Sequence, residues 1–236
     1  MALVPCPLQR IPLSAGCPCL KSAAARVLLC ALAVCLLWPA LPGRADSQII
    51  LFENYVRGMP RERVLELPGA FDCAEQLGSE AVCRNGARYL DHGWDMDFAF
   101  DQQGLRSVSL RTPFVRSVYV RAFAALDERF ELVALQSSEP TLDLVALWRN
   151  APHAGYASKQ MTEYETRAMQ RRELVYVFLE RSGVHQALKK AADVRDLLGM
   201  ARPDTRQAAL ALLHDADDRE WIVLQYDLAR EVNQGK

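Results

Sequence analysis

The stretch that decides the fold runs from Gly86 to Thr112 and reads Gly-Ala-Arg-Tyr-Leu-Asp-His-Gly-Trp-Asp-Met-Asp-Phe-Ala-Phe-Asp-Gln-Gln-Gly-Leu-Arg-Ser-Val-Ser-Leu-Arg-Thr. Apolar residues in its centre alternate with acidic or small ones. Because successive side chains of a strand point to opposite faces, this alternation predicts one buried and one solvated face. The apolar pattern resumes after Gly104 and completes a β-hairpin. The predicted hairpin core is Trp94, Met96, Phe98, Phe100, Val108 and Leu110.

The length of the turn fixes the register of this hairpin. A three-residue loop of Gln102, Gln103 and Gly104 places Gly104 in the left-handed conformation that a type I turn with a bulge requires. A four-residue loop would set Phe98 opposite Ser107 and mix the two faces, so the shorter loop is preferred. It predicts the pairs Asp101–Leu105, Phe98–Val108, Met96–Leu110, Asp97–Ser109 and Asp95–Arg111.

The N-terminal residues have the three parts of a secretory signal peptide. A flank without acidic residues precedes the apolar run Val27–Leu41, and Gly43 and Ala45 precede a cleavage point at Asp46. The alternative is a membrane anchor, but a proline interrupts the run, which is shorter than the roughly 20 residues that span a bilayer. Residues 1–45 are therefore predicted to be a cleaved signal peptide, and the mature protein is predicted to be periplasmic or secreted.

The charge balance argues against nucleic acid as a partner. All 29 acidic residues follow the leader, together with all but four of the 28 basic ones. The exported chain is therefore mildly acidic, and it has no long basic run. Its length suits one larger domain or two small ones that share a sheet. The expected division is a helix-plus-hairpin module at 46–113 and a second α+β unit at 114–236 that packs on the first.

Two of the seven cysteines, Cys73 and Cys83, follow the leader. An even pair of cysteines in an oxidising compartment predicts a disulfide. The spacing differs from the Cys-x-x-Cys of catalytic dithiols, so the predicted bridge is structural. Free thiols and metal ligation are the alternatives.

A short helix precedes this cysteine pair, since Pro60 suits a first helical turn and Pro68-Gly69 ends it. Gly-Met-Pro-Arg-Glu-Arg-Val at 58–64, followed by a loop and the hairpin, resembles the SmpA/OmlA (BamE-like) module, a unit that the β-lactamase inhibitory proteins carry twice in tandem. The resemblance covers about residues 55–112 and implies a helix packed on a small antiparallel sheet. The matching positions are Gly58, Met59, Val64, Phe98, Gly104, Leu105 and Val108.

The rest of the chain alternates between helix and strand patterns. The predicted helices are 114–128, 141–148, 161–171, 184–198 and 203–213; the predicted strands are 48–52, 173–180 and 221–226; residues 130–135 fit either. The fold class is α+β, with short helices on small antiparallel β-sheets. The similar spacing from Val64 to Phe98 and from Val145 to Val177 suggests two related helix–strand units.

No metal or cofactor site is predicted. Asp95 and Asp97 share a strand face and are near Asp91 and His92, but the segment lacks the turn and the bidentate Glu of a calcium loop. A solvated face balanced by Arg111 is the preferred interpretation. The run Arg167–Arg172 is likewise interpreted as a solvated helical face rather than an anion site.

Catalytic patterns are also missing from the sequence. The four histidines, His92, His153, His185 and His214, lack metal-ligand spacing. No nucleophile elbow or phosphate-binding loop occurs, and Ser107 and Ser109 have no base nearby in the sequence. The favoured hypothesis is a protein of the cell envelope that acts through its surface, as a binding or assembly factor or as an inhibitor of another protein. The alternative is a periplasmic hydrolase whose site is assembled across the two halves.

Overall fold

The computed structural model describes residues 48–77 and 80–229. Its strands are β1 (Ile50–Phe52), β2 (Tyr55–Val56), β3 (Ala70–Asp72), β4 (Ala81–Tyr89), β5 (His92–Asp101), β6 (Gly104–Pro113), β7 (Phe130–Gln136), β8 (Leu142–Asp143), β9 (Glu173–Glu180), β10 (Arg206–His214) and β11 (Glu220–Leu228). Its helices are α1 (Arg61–Leu65), α2 (Ala74–Leu77), α3 (Arg116–Asp127), α4 (Leu144–Asn150), α5 (Ala154–Gln170), α6 (Arg181–Leu188) and α7 (Val194–Met200). The predicted α+β class is confirmed.

Strands β5 and β6 form the hairpin that the sequence predicts. The pairs Phe98–Val108, Met96–Leu110, Asp97–Ser109 and Asp95–Arg111 are all present. The predicted pair Asp101–Leu105 is wrong, because Asp101 pairs with Gly104 across a two-residue turn. A one-residue shift at Arg106 then restores the register of the outer pairs. Of the six predicted core residues, Phe100 is only partly buried and the other five are buried.

Gly104 connects the hairpin tip to the segment that precedes α1. Its φ is +101°, a conformation that favours glycine. The backbone N–H of Leu105 donates to Met59 O at 2.9 Å, and the N–H of Gly58 donates to Leu105 O at 2.9 Å. A Cβ at position 104 would lie 2.5 Å from Gly58 O. Both the backbone angle and the close approach therefore require glycine here.

The sequence prediction missed β4, which pairs with β5 on the side away from β6. A bulge between Arg84 and Ala87 contains Gly86 at φ +66° and interrupts the alternating pattern. The tight turn into β5 places Leu90 and Asp91 at φ +50° and +56°. Such paired positive angles are typical of a type I′ hairpin turn.

One nine-stranded sheet contains strands from both predicted parts, in the order β3-β4-β5-β6-β11-β10-β9-β7-β8. It is larger than the small sheets that were expected. The meanders β4-β5-β6 and β9-β10-β11 meet through their last strands, which pair in antiparallel register from Val108–Tyr226 to Pro113–Trp221. The predicted strand at 48–52 corresponds to β1, which instead pairs with β2 in a separate ribbon.

The predicted helix at 203–213 is wrong, because this segment forms β10 between β9 and β11. Its alanines and leucines favour helices in isolation, but pairing with a strand on each side and burial of one face outweigh that local preference. The predicted helix at 184–198 is also wrong, since it is divided into α6 and α7. Asp193 caps α7, accepting the N–H of Asp196 at 2.7 Å.

The remaining elements differ from their predictions mainly in their bounds. Residues 130–135, which fitted either pattern, belong to strand β7, and β9 has its predicted bounds. Residues 142–143 form β8 before α4 begins, and α5 begins at Ala154 rather than at 161. The early start of α5 follows from His153, whose Nδ1 accepts the N–H of Tyr156 at 3.2 Å and caps the helix.

The two faces of the sheet have different cover. One face carries the main core, in which Trp94, Phe98, Leu110, Phe178 and Leu224 pack beneath α3, α5 and the β1–β2 ribbon. On the other face, α6 and α7 cover the second half of the sheet through a separate apolar cluster. The predicted signal peptide at 1–45 and the tail at 230–236 lie outside the described residues. None of the helices described is long and apolar enough to cross a membrane.

We expect Gly104→Ala to destabilise the protein more than Gly86→Ala. Both positions have positive φ, so each alanine introduces backbone strain of about 1–2 kcal/mol. The Cβ at 104 would also collide with backbone atoms of Gly58, whereas nothing lies within 4 Å of a Cβ at 86. Urea unfolding of the two variants measures the difference. Equal losses of stability would contradict the close approach at the hairpin tip.

Candidate functional site

An apolar cleft of about 520 Å³ lies between β7, α4 and α6. Its lining is Glu131, Leu132, Leu144, Val145, Trp148, Arg149, Leu188 and Lys189. Trp148 is a large apolar side chain that remains 48% exposed. Exposed tryptophan beside a concave apolar surface is characteristic of protein-binding sites, where such residues dominate the binding energy.

Asp143 positions the helix that carries this tryptophan. One carboxylate oxygen of Asp143 accepts the N–H of Ala146 at 2.8 Å and caps α4. The other accepts the N–H of Val194 at 2.8 Å and joins the starts of α4 and α7. Leu144 is fully buried and anchors α4, and Trp148 lies one turn later on the same side of the helix.

The rim of the cleft has an excess of positive charge. Glu131 pairs with Arg181 at 3.2 Å, so its charge is already balanced. Arg149 donates to Leu188 O at 3.3 Å. Within the described residues, neither Arg149 nor Lys189 forms an ion pair. A ligand of the cleft would therefore meet two cations beside an apolar floor.

The strand at the floor of the cleft lacks a second partner strand over some of its length, within the part of the chain that the structure describes. On its inner side β7 pairs with β9 along its length, and on its outer side β8 pairs only with Ala134 and Leu135. The stretch Phe130–Val133 therefore has no second strand beside it among the residues described. Unpaired strand edges accept further strands through their backbone N–H and C=O groups.

Sequence reasoning did not identify this cleft. It recognised a short helix ending at Trp148 but assigned it no function. The lining comes from three separate segments, around residues 131, 144–149 and 188, and only the folded chain brings them together. The one local signal is the spacing of Leu144 and Trp148, which sets an aromatic residue one turn beyond a buried anchor.

The acidic residues considered as metal ligands have separate environments. Asp91 lies in the β4–β5 turn, and Asp95 accepts the N–H of Gly86 at 3.2 Å. His92 lies on the other face and its Nε2 is 3.0 Å from Thr112 Oγ1. In the part of the chain that the structure describes, no group of three or more ligand-type residues is arranged to hold a metal ion.

Asp97 is half-buried, although the sequence predicted that it lies on a solvated face, because β4 brings the disulfide against it. Cys73 and Cys83 are bridged, with Cα atoms 5.7 Å apart, which confirms the predicted disulfide. Asp97 Oδ1 lies 3.3 Å from Cys83 Sγ, which has no hydrogen to donate. Burial raises the pKa of the Asp97 carboxyl; Arg111 opposes this rise, and Asp95 adds to it.

The histidines and serines do not form a catalytic set within the described residues. His153 caps α5, His185 is exposed on α6, and His214 Nδ1 lies 3.2 Å from Arg172 O. No ion pair joins a described histidine to a carboxylate. Ser107 is buried on β6, and Ser109 is its half-exposed neighbour on the same face.

The arginines at the end of α5 form ion pairs. Arg167 and Arg171 contact the two carboxylate oxygens of Glu139 at 3.2 and 3.1 Å, and Arg172 pairs with Asp218. These contacts agree with the interpretation of Arg167–Arg172 as a solvated helical face.

Comparisons with protein-family models, with curated proteins and with solved structures found no match. The resemblance of residues 55–112 to the SmpA/OmlA module therefore stays a prediction. The cleft and its surroundings are the basis for any functional proposal.

We expect Asp97→Asn to increase stability at neutral pH and to lose that advantage in acid. The folded-state pKa of Asp97 is raised, so its ionisation is less favourable in the folded protein than in the unfolded chain. Stability is therefore lost as the pH rises from the ordinary pKa of about 4 through the raised one. Partial solvent screening limits the gain to about 1 kcal/mol. Urea unfolding across this pH range measures it.

The exposed turn residue Asp91 provides the control. Asp91→Asn removes the same charge outside the sheet, and asparagine tolerates the positive φ at that position. Because this carboxylate is exposed, Asp91→Asn should not produce the gain in stability that is expected for Asp97→Asn. If the difference in unfolding free energy between Asp97→Asn and wild type did not change with pH, the Asp97 charge would not destabilise the folded protein.

Proposed function

We propose that this protein binds a partner protein through the cleft between β7, α4 and α6. The observation that carries the proposal is Trp148, an exposed aromatic side chain over an apolar floor and beside two cations. An exposed tryptophan on a monomer costs solubility, and burial beneath a partner would offset that cost.

The partner contributes an extended segment that combines apolar and acidic residues. An extended conformation fits because Phe130–Val133 offers a strand edge along the cleft. The apolar residues pack on Trp148 and Leu188, and an acidic residue balances Lys189. Alternation of the two types fits a strand, whose successive side chains point to opposite sides.

The predicted signal peptide determines in which compartment this interaction would take place. If residues 1–45 direct export, the partner is another protein of the cell envelope, and the protein acts there as an assembly factor or an inhibitor. The hydrolase alternative lacks a supporting observation, since it requires a base and a nucleophile that the described contacts do not bring together.

We expect the binding of extended peptides selected on this protein to depend on Trp148. Selection from a random peptide library should yield sequences that alternate apolar with acidic residues. Trp148→Ala should weaken the binding of such a peptide by at least about tenfold, because truncation of a central aromatic residue typically removes more than about 1.4 kcal/mol. Fluorescence anisotropy of the labelled peptide measures the affinity.

A matched variant distinguishes binding at Trp148 from binding at any exposed aromatic residue. Phe71 is 37% exposed on β3, at the opposite edge of the nine-stranded sheet, so Phe71→Ala should leave the peptide affinity unchanged. Replacement of the peptide's acidic residues by lysine should abolish binding. A selection whose peptides bind wild type and Trp148→Ala equally well would show that the cleft is not the binding site.

Export is tested separately. N-terminal sequencing of the mature protein, expressed with its own leader in a Gram-negative host, should begin at or within a few residues of Asp46. An intact N-terminus on a membrane-bound form would overturn the prediction of a cleaved signal peptide.

A further inference from the structure

A second concave region, the crevice, lies where the β1–β2 ribbon meets the end of α3. It consists of two adjoining cavities of about 260 and 400 Å³, which share Glu53, Arg129 and Arg206 in their lining. None of its lining residues belongs to the cleft that contains Trp148. Binding in the crevice is therefore independent of the proposed protein-binding function.

Aromatic rings form the inner wall of the crevice. Phe52 lies with its ring centroid 4.9 Å from that of Tyr226 and 4.9 Å from that of Tyr89. The ring of Phe130 is 6.3 Å from Tyr226 and closes the wall on the side of β7. Phe52, Phe130 and Tyr226 are buried, so the half-exposed ring of Tyr89 supplies most of the aromatic surface that a small apolar group could contact.

The Arg206 charge is already balanced within the protein. Its guanidinium forms two hydrogen bonds to the Glu180 carboxylate, at 2.6 and 3.1 Å, and a third to Ile50 O at 3.0 Å. It also lies 5.4 Å from the centroid of the Phe130 ring. Arg206 therefore builds the wall of the crevice rather than offering a free charge to a ligand.

Glu53 and Arg129, by contrast, carry opposite charges that remain apart. Both line both cavities, both are exposed, and in the part of the chain described neither forms an ion pair with the other or with a third residue. Burial raises the pKa of the Tyr89 hydroxyl; a hydrogen bond with Tyr226 opposes this rise, Glu53 and Glu128 add to it, and Arg129 opposes it. Glu128 also lines the smaller cavity, so two carboxylates and one guanidinium lie around the aromatic wall.

The backbone holds both charged residues in place. Glu53 lies in the tight turn between β1 and β2 with φ +46°, an angle that non-glycine residues seldom adopt. Arg129 lies in the turn between α3 and β7, where its N–H donates to Leu126 O at 3.1 Å and its C=O accepts from Arg181 N at 3.0 Å. The backbone position of each residue is thus set by the fold.

We infer that the crevice binds a free amino acid with an apolar side chain. The carboxylate of such a ligand pairs with Arg129, its ammonium group pairs with Glu53, and its side chain packs on Phe52, Tyr89 and Tyr226. An α-amino acid is the smallest compound that presents a positive charge, a negative charge and an apolar group from one carbon atom. A ligand with only one charge would leave either Glu53 or Arg129 without its counterpart.

The test uses three probes of nearly equal shape. Phenylalanine has both charges, hydrocinnamate lacks the ammonium group, and phenethylamine lacks the carboxylate. We expect phenylalanine to bind at least about tenfold more tightly than either of the others, which corresponds to about 1.4 kcal/mol, because each of the other probes lacks one of the two charges. Isothermal titration calorimetry with the mature protein gives the affinities.

Variants of the protein then test which residue recognises each charged group of phenylalanine. Arg129→Gln should remove the advantage of phenylalanine over phenethylamine, and Glu53→Gln should remove its advantage over hydrocinnamate. Arg121→Gln, at an exposed position on α3, should change neither ratio. Thermal unfolding of the variants without ligand shows that they fold.

Three outcomes would overturn the inference. They are no binding of phenylalanine in the millimolar range, equal binding of the three probes, and a ratio that Arg129→Gln leaves unchanged. Binding of hydrocinnamate as tight as that of phenylalanine would indicate a simple anion site at Arg129. Binding of phenethylamine as tight as that of phenylalanine would indicate a cation site at the aromatic wall.

Discussion

The pairing of β6 with β11 is the interaction on which the rest of the structure depends. It joins Leu110 to Leu224 at the middle of the sheet and makes one continuous core from the apolar faces of two meanders. Without it, the sheet would divide into a four-stranded part, β3-β4-β5-β6, and a five-stranded part, β11-β10-β9-β7-β8, each with an open edge. Residues 46–113 and 114–236 were predicted as two packed parts, and this contact shows that they share a single sheet.

The sequence predicted a strand more readily where its two faces differ in exposure to solvent. In β5 and β6 one face is apolar and the other polar, so the alternation identified both strands and most of their pairs. In β10 one face is buried and the other is mostly half-buried, but alanine and leucine occupy both, so the run has no period that distinguishes a strand from a helix. The bulge at Gly86 similarly concealed β4, because it breaks the alternation in the middle of the strand.

The candidate sites were beyond sequence reasoning for a different reason. The disulfide was predicted from the number of cysteines and the expected compartment, and neither requires knowledge of the strand order. The cleft and the crevice each combine residues from three or more segments, and the positions of those segments depend on strand order. Asp97 illustrates the same limit, since its solvated appearance in the sequence ignores Cys83, which β4 brings beside it.

The sheet order also determines when the chain can fold. β11 follows every other described strand in the sequence, yet it occupies a central place between β6 and β10. Until residues 220–228 arrive, both of those neighbours keep an open edge, and the contacts that join the two meanders do not exist. Such long-range pairing makes folding slow and leaves strand edges open to association with other chains. A chain of this topology therefore stays exposed to association until β11 has been made, and a product that ends before β11 lacks the strand that joins the two meanders.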